Sequence, residues 1–270
     1  FDEGTFARVA LEISQKEGIN QFLPTLWGEE YLNKAPGLHW LAAQSIKTYR
    51  FFFSSIGTLP PEFVVRCIPA FLSTLVVPVA GLIQWNLRPF DIKSSIITSG
   101  ILVTLLPISR YGRLAMLDGT QLSLMALLWL FIIYIYTLKE TKIFPFLAGL
   151  SSSCLLLLKA PFLLPAISAA LIPICFFKNS HKLINRSLLS FFGLGLFPGV
   201  FWHLWHGIQR GEGALWLWSG DGAMRVLFDA GEGSDLRLLV PWIELLEGGW
   251  PWLLLLPCGI AMAWCQRNTI

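Results

Sequence analysis

Phe63-Val64-Val65-Arg66-Cys67-Ile68-Pro69-Ala70-Phe71-Leu72-Ser73-Thr74-Leu75-Val76-Val77-Pro78-Val79-Ala80-Gly81-Leu82-Ile83-Gln84-Trp85 is the stretch that decides the fold class. Its single charge, Arg66, lies near its start. A helix that crosses about 30 Å of hydrocarbon at 1.5 Å per residue needs about 20 mostly apolar residues, and this run supplies them. Similar runs follow at Ser94 to Ser109, Gly119 to Leu138, Ile143 to Leu158, Pro161 to Phe177, Ser187 to Gly207 and Trp250 to Cys265. The pair Ile143 to Leu158 and Pro161 to Phe177 is short and pivots at Lys159-Ala160-Pro161. The pattern predicts an all-α polytopic membrane protein with about seven spans.

The totals agree. Of 270 residues, 54% are hydrophobic and 14% charged, and the mean hydropathy is +0.61. A soluble domain carries about a quarter charged residues. The net charge of +3 gives no ground for a nucleic-acid partner. Cys67, Cys154, Cys175, Cys258 and Cys265 form no Cys-x-x-Cys pair and lie in or beside apolar runs, which argues against a disulfide framework or a zinc site. The chain opens at Phe1-Asp2-Glu3 without an initiator methionine or signal peptide, and it ends just after an apolar run. Both ends are expected to be cut, with a membrane helix preceding Asp2.

Basic residues in short loops give the orientation. Arg88 with Lys93, Lys139 with Lys142, and Lys178, Lys182 and Arg186 fall in alternate loops, and Arg267 joins them. That side is expected to be cytoplasmic, which leaves Phe1 to Glu62, Arg110 to Asp118 and Ile208 to Gly249 on the outer face of an inner membrane. The chain divides into a first outer loop (1–62), a helical bundle (63–207), a second outer loop (208–249) and a last span (250–270). Within the first loop, Phe1 to Lys16 has Phe6, Val9, Ala10 and Ile13 on one helical face. Leu38 to Phe53 repeats the pattern with Trp40, Leu41, Ile46 and Tyr49. Such amphipathic helices lie in the interface plane. Trp27, Trp40, Trp85, Trp202, Trp250 and Trp252 fit an aromatic belt. No internal repeat of the kind found in many transporters is visible.

Three outer clusters carry residues capable of chemistry. Asp2-Glu3 opens the first loop, where acids either cap a helix against its dipole or act as a base. Lys34 stands in Tyr31-Leu32-Asn33-Lys34-Ala35-Pro36-Gly37-Leu38-His39-Trp40, as a lipid anchor or a cation for an anionic ligand. Arg110-Tyr111-Gly112-Arg113-Leu114-Ala115-Met116-Leu117-Asp118 sets two arginines and a carboxylate against a span, as a solvated ion pair or part of a site. Both arginines go against the positive-inside pattern. A carboxylate, a lysine and arginines on one side are what transfer from a phosphate-linked donor requires: the base takes the acceptor's proton and the cations stabilise the departing phosphate. His203 and His206, one helical turn apart with Trp202 and Trp205 beside them, read as belt residues rather than a metal pair. Lys159 has no assigned role.

In order and sidedness these residues resemble the protein O-mannosyltransferase and aminoarabinose-transferase superfamily. The similarity rests on Asp2-Glu3, Lys34-Ala35-Pro36 with Trp40 behind it, Arg66 with Pro69 at the next span, Arg113 to Asp118, and Gly248-Gly249-Trp250-Pro251-Trp252. It implies a GT-C fold with Asp2, accompanied by Glu3, as the catalytic carboxylate. It further implies that Lys34 and Arg113 meet the donor phosphate and that Asp118 and Arg66 shape the cavity. By the same resemblance the partners are a polyprenyl-phosphate sugar donor and membrane lipids. The reaction implied is an inverting glycosyl transfer on the periplasmic side, without an assigned cofactor and with metal dependence and acceptor left open. Two other classes stay open. A lipid-linked transporter or flippase calls for charges inside spans and repeated halves, and a non-catalytic assembly subunit makes Asp2 and Lys34 expendable.

Overall fold

The computed structural model describes residues 2–53, 59–89, 91–137, 141–175, 186–211, 214, 216–218 and 240–265. Helices α1 (Asp2–Gln15) and α2 (Gly37–Phe53) are the two amphipathic helices of the first loop. In α1 the buried face is the expected Phe6, Val9, Ala10 and Ile13. In α2 it is Leu38, His39, Ala42, Ala43 and Ile46, so the expected face is corrected: Trp40, Leu41 and Tyr49 are only half-buried. The small side chains of Ala42 and Ala43 let α1 approach closely and leave the bulky aromatics at the rim. Between the two helices lie a 3-10 turn, Gly18–Phe22, and a short antiparallel hairpin, β1 (Thr25–Leu26) with β2 (Glu29–Glu30).

The apolar helices follow as α3 (Glu62–Thr74), α4 (Val76–Leu87), α5 (Ile92–Thr104), the short α6 (Leu106–Tyr111), α7 (Leu117–Thr137), α8 (Ile143–Lys159), α9 (Leu163–Cys175) and α10 (Arg186–Arg210). Among the described residues, four segments are long and apolar enough to cross a membrane: Glu62–Leu87, Leu117–Thr137, Ile143–Ile172, which joins α8 and α9, and Arg186–Arg210. Ile92–Thr104 and Trp252–Met262 are shorter. Helices α3 and α4 form one segment interrupted at Leu75. In hydrocarbon a freed backbone group must find a partner inside the protein. Ser123 of α7 supplies it, accepting the Val76 N–H at 3.0 Å and donating to the Ser73 carbonyl at 3.0 Å.

Helix α8 ends at Lys159, whose φ −156° and ψ 90° leave the helical region. Leu158 packs with Phe6, Leu38 and Leu117. Ala166, eight residues later in sequence, packs with Leu128 and Leu155 deeper in the bundle. Its carbonyl accepts the Trp129 indole N–H at 2.8 Å. The chain therefore turns at Lys159-Ala160-Pro161, and α9 doubles back along α7.

Helices α8 and α10 meet through glycine and serine. A Cβ on Gly149 would lie 2.1 Å from the Phe192 carbonyl oxygen, and one on Gly195 would lie 2.2 Å from that of Phe146. Ser153 Oγ accepts the Gly199 N–H at 2.6 Å. Without a hydrophobic driving force between helices, close backbone approach and buried hydrogen bonds replace it. The large apolar side chains point outward instead: Phe71, Ile96, Ile97, Phe197, Phe201 and Leu204 are all more than half exposed, as hydrocarbon-facing residues should be.

One end of this bundle gathers α1, α2, the start of α3, the stretch before α7, the α8–α9 turn and the last turns of α10. The loop carrying Lys142 lies at the other end.

Candidate functional site

Glu3, in the first turn of α1, is gripped from two directions. Arg66 on α3 donates to its two carboxylate oxygens at 2.5 and 2.6 Å, and the Ala115 N–H donates to Oε1 at 2.9 Å. The Arg66 hydrogen bond, helped by that of Ala115, holds the Glu3 carboxyl below the usual carboxylate range despite partial burial. Arg66 also reaches Glu62 one turn back on its own helix, at 2.5 Å. The clamp fixes the start of α1 against α3 and against the stretch leading into α7. Glu3 is thus an acceptor of hydrogen bonds with little proton affinity to spare. Asp2 is the first residue of α1; its side chain lies outside what the structure describes.

Lys34 is half-buried at the entry to α2 and forms no ion pair with a described residue. Its neighbour Ala35 packs against Trp202 and Leu217, which places the lysine where the first loop meets the end of α10. His39, one turn into α2, is fully buried against the rings of Phe6 and Tyr31. Burial, with the nearby Lys34 charge adding to it, pushes its pKa down to about 3. The imidazole near Lys34 is therefore neutral.

Arg113 and Asp118 are both exposed, and neither makes an ion pair with a described residue. Asp118 lies in the first turn of α7 and lines a cavity of about 470 Å³ with Arg110, Tyr111, Met116 and Glu247. Because Ala115 binds Glu3, the start of α1 is held beside this cavity. All six sequence-predicted site residues therefore belong to one end of the bundle, and Glu3 and Arg66 are in direct contact.

From Pro36 and Gly37, two and three residues after Lys34 in sequence, runs an apolar groove of about 530 Å³, walled by Phe22, Trp40, Leu157, Phe201, Trp202 and Trp205 among others. Trp202 is buried and stacks on His206 at 4.7 Å, and His206 is itself buried. His203 meets the Leu156 carbonyl at 3.0 Å. The expected belt role is thus corrected for Trp202 and His206, which pack inside the protein because the first loop covers the end of α10. That cover is tied by the Trp202 indole N–H on the Phe22 carbonyl at 3.1 Å and by Arg210 on Glu30. Among the described residues no three His, Cys, Asp or Glu side chains are grouped to hold a metal ion.

Sequence reasoning missed the β1–β2 hairpin altogether. Glu12 of α1 organises it, accepting from Thr25 Oγ1 at 2.7 Å, Arg8 Nε at 2.8 Å, and the Trp27 and Gly28 N–H groups at 2.8 and 3.3 Å. Burial pushes the Glu12 carboxyl up, but these hydrogen bonds together bring it below its ordinary value. The Arg8-x-x-x-Glu12 spacing signals only the ion pair within α1 and not the hairpin that Glu12 holds.

No family model and no curated protein matches this sequence. Two crystal structures of ArnT from Cupriavidus metallidurans match the fold. The first, bound to undecaprenyl phosphate, superposes with a TM-score of 0.72 over 99% of this chain and 47% of its own, at 16% identity. The apo form gives 0.71 over 94% and 44%, again at 16% identity. The chain spans about half the length of these solved structures. It is a polytopic membrane protein with a GT-C-type fold.

Proposed function

We propose that this chain is part of a membrane glycosyltransferase that takes a sugar from a polyprenyl-phosphate donor at the outer face of an inner membrane. The observation that carries the proposal is the meeting, at one end of a GT-C-type bundle, of an acidic helix start, an unpaired half-buried lysine and an aromatic groove. A match to ArnT holding undecaprenyl phosphate supports the donor class. The groove suits an isoprenoid tail, because its walls are apolar and include Pro36 and Gly37, close in sequence to Lys34. Lys34 then meets the phosphate as a compact point charge, with Arg113 as the second cation.

In the reaction, Asp2 takes the proton of the acceptor hydroxyl while that oxygen attacks the anomeric carbon. The bond from that carbon to the phosphate oxygen breaks, and its electron pair leaves with the phosphate, inverting the centre. Asp2 is assigned the base role over Glu3 because the Glu3 carboxylate is already committed to Arg66 and Ala115. Glu3 and Arg66 then position α1, and Asp118 shapes the far side of the site. No cofactor is assigned, and the sugar is unspecified.

Asp2→Asn tests the assignment. The substitution keeps the shape and the helix-capping oxygen but cannot take the proton, and asparagine caps about as well as aspartate. General base catalysis contributes about 10²–10⁴-fold. The full-length variant should fold, bind donor lipid and transfer at least about a hundredfold more slowly. Near-normal transfer would remove Asp2 from the mechanism.

A further inference from the structure

The β1–β2 hairpin displays an aromatic side chain at a conformational cost. Trp27 has φ +58° and the following Gly28 has φ +84°. A positive φ is ordinary for glycine but a clear outlier for a bulky side chain. Strain of this kind persists where the surroundings over-determine it, and it clusters at binding and catalytic sites. Here the surroundings are Glu12, whose carboxylate holds both turn N–H groups, and Arg8, which is fixed by Glu12 and places its guanidinium 4.2 Å from the centre of the Trp27 ring. Yet none of this buries the indole, which is 71% exposed. A two-residue turn of this kind favours Asn-Gly, so the tryptophan is not there to make the turn.

Trp27 and Arg8 overhang a cavity of about 630 Å³. Glu3, Gly4, Glu62 and Arg66 supply a polar side, and Leu11 and Val65 an apolar one. The cavity opens on a different face of α1 from Phe6, which packs on His39 near Lys34, and it begins at the residue after Asp2. A pyranose ring has an apolar C–H face that suits the electron-rich face of an indole, and a rim of hydroxyls that suits carboxylates and guanidinium groups. We propose that Trp27, backed by Arg8, is a stacking platform for a sugar ring in this cavity. Its occupant is the saccharide unit bearing the accepting hydroxyl, which reaches the start of α1 from the side opposite the donor. The acceptor role rests on the transfer reading above; the sugar-binding site itself does not.

The test uses full-length protein in nanodiscs without donor lipid. Methyl α-D-glucopyranoside, methyl α-D-mannopyranoside and methyl N-acetyl-β-D-glucosaminide are added singly. Saturation-transfer difference NMR reads which ring protons approach the protein, with empty nanodiscs as the control. At least one glycoside should give a signal concentrated on one face of the ring. Trp27→Phe should keep most of it, and Trp27→Asn should weaken binding about tenfold, as expected for a lost ring-stacking contact. Since Trp27→Asn relieves the strained φ, its melting temperature should be unchanged or higher. The site is overturned by absence of signal in the unsubstituted protein, by an undiminished signal in Trp27→Asn, by equal loss in Trp27→Phe, or by a lower melting temperature accompanying the loss. If sugar binds while Asp2→Asn still transfers normally, the transfer mechanism fails and the binding site stands. If Asp2→Asn abolishes transfer and no glycoside binds, only the site fails.

Discussion

Lys34 shows how much a single charge depends on its neighbours. It is half-buried, two residues ahead of Pro36 in the wall of the apolar groove, and the imidazole of His39 nearby is held neutral and does not compete with the lysine for an anion. A lysine serving as a lipid anchor can be exchanged for arginine or removed at small cost, since it buries little. A lysine neutralising a phosphate cannot be removed, although arginine keeps the charge. Lys34→Ala is therefore expected to weaken donor binding about tenfold or more, with Lys34→Arg clearly less affected and both variants folded. Titrating undecaprenyl phosphate into detergent-purified protein checks this, and equal affinities in all three forms would reduce Lys34 to an anchor. Only the family resemblance ranks Asp2 ahead of Glu3; nothing local to the pair separates them. Glu3's partner Arg66 is 63 residues away and its partner Ala115 is 112 away, and such pairings are set by the tertiary fold.

At the scale of elements, the α8–α10 seam is the least forgiving contact. Gly195 faces backbone, and backbone cannot rotate out of the way as a flexible side chain can. Gly195→Leu is expected to destabilise the bundle by at least about 3 kcal/mol. Gly193→Ala, on the same helix with open space around the added Cβ, should be nearly neutral. Thermal unfolding in detergent compares the two, and matching melting temperatures would refute the seam. Helices were the legible part of the sequence, because bilayer thickness dictates the length of an apolar run, and the 3.6-residue period exposed the core face of α1. The face of α2 was misread because hydrophobic size was taken as a guide to burial, whereas close packing on α1 selected Ala42 and Ala43. The hairpin was invisible because two-residue strands carry no period, and its turn tryptophan contradicts local preference.

For the whole molecule, lysine and arginine alone sort the loops into two alternating sets, since that rule needs no contact to be known. The clustering of Asp2, Lys34, Arg113 and Asp118 at one end followed from it. Their partners did not, and most of residues 208–249 lies outside the described residues. The arrangement places the exposed Thr48 of α2 and the exposed Thr141 before α8 at opposite ends of the bundle. With all five native cysteines replaced by serine, cysteines at Thr48 and Thr141 should react with an impermeant thiol reagent from opposite faces of sealed vesicles. Labelling of both from one face would sink the topology.

The seam between α8 and α10 also bears on how the chain is made. Ser153 and its partner Gly199 are 46 residues apart, and α9 is synthesised between them. At roughly 5–20 residues per second, a ribosome leaves the glycine–serine stripe of α8 without its mate for about 2–9 seconds. During that interval the stripe offers lipid a notch that acyl chains fill poorly. The nascent helix is thus obliged to wait in the company of α7, or of the insertion machinery, until α10 emerges. A chain stalled before Gly199 should be a far better protease substrate than one released a few residues after it.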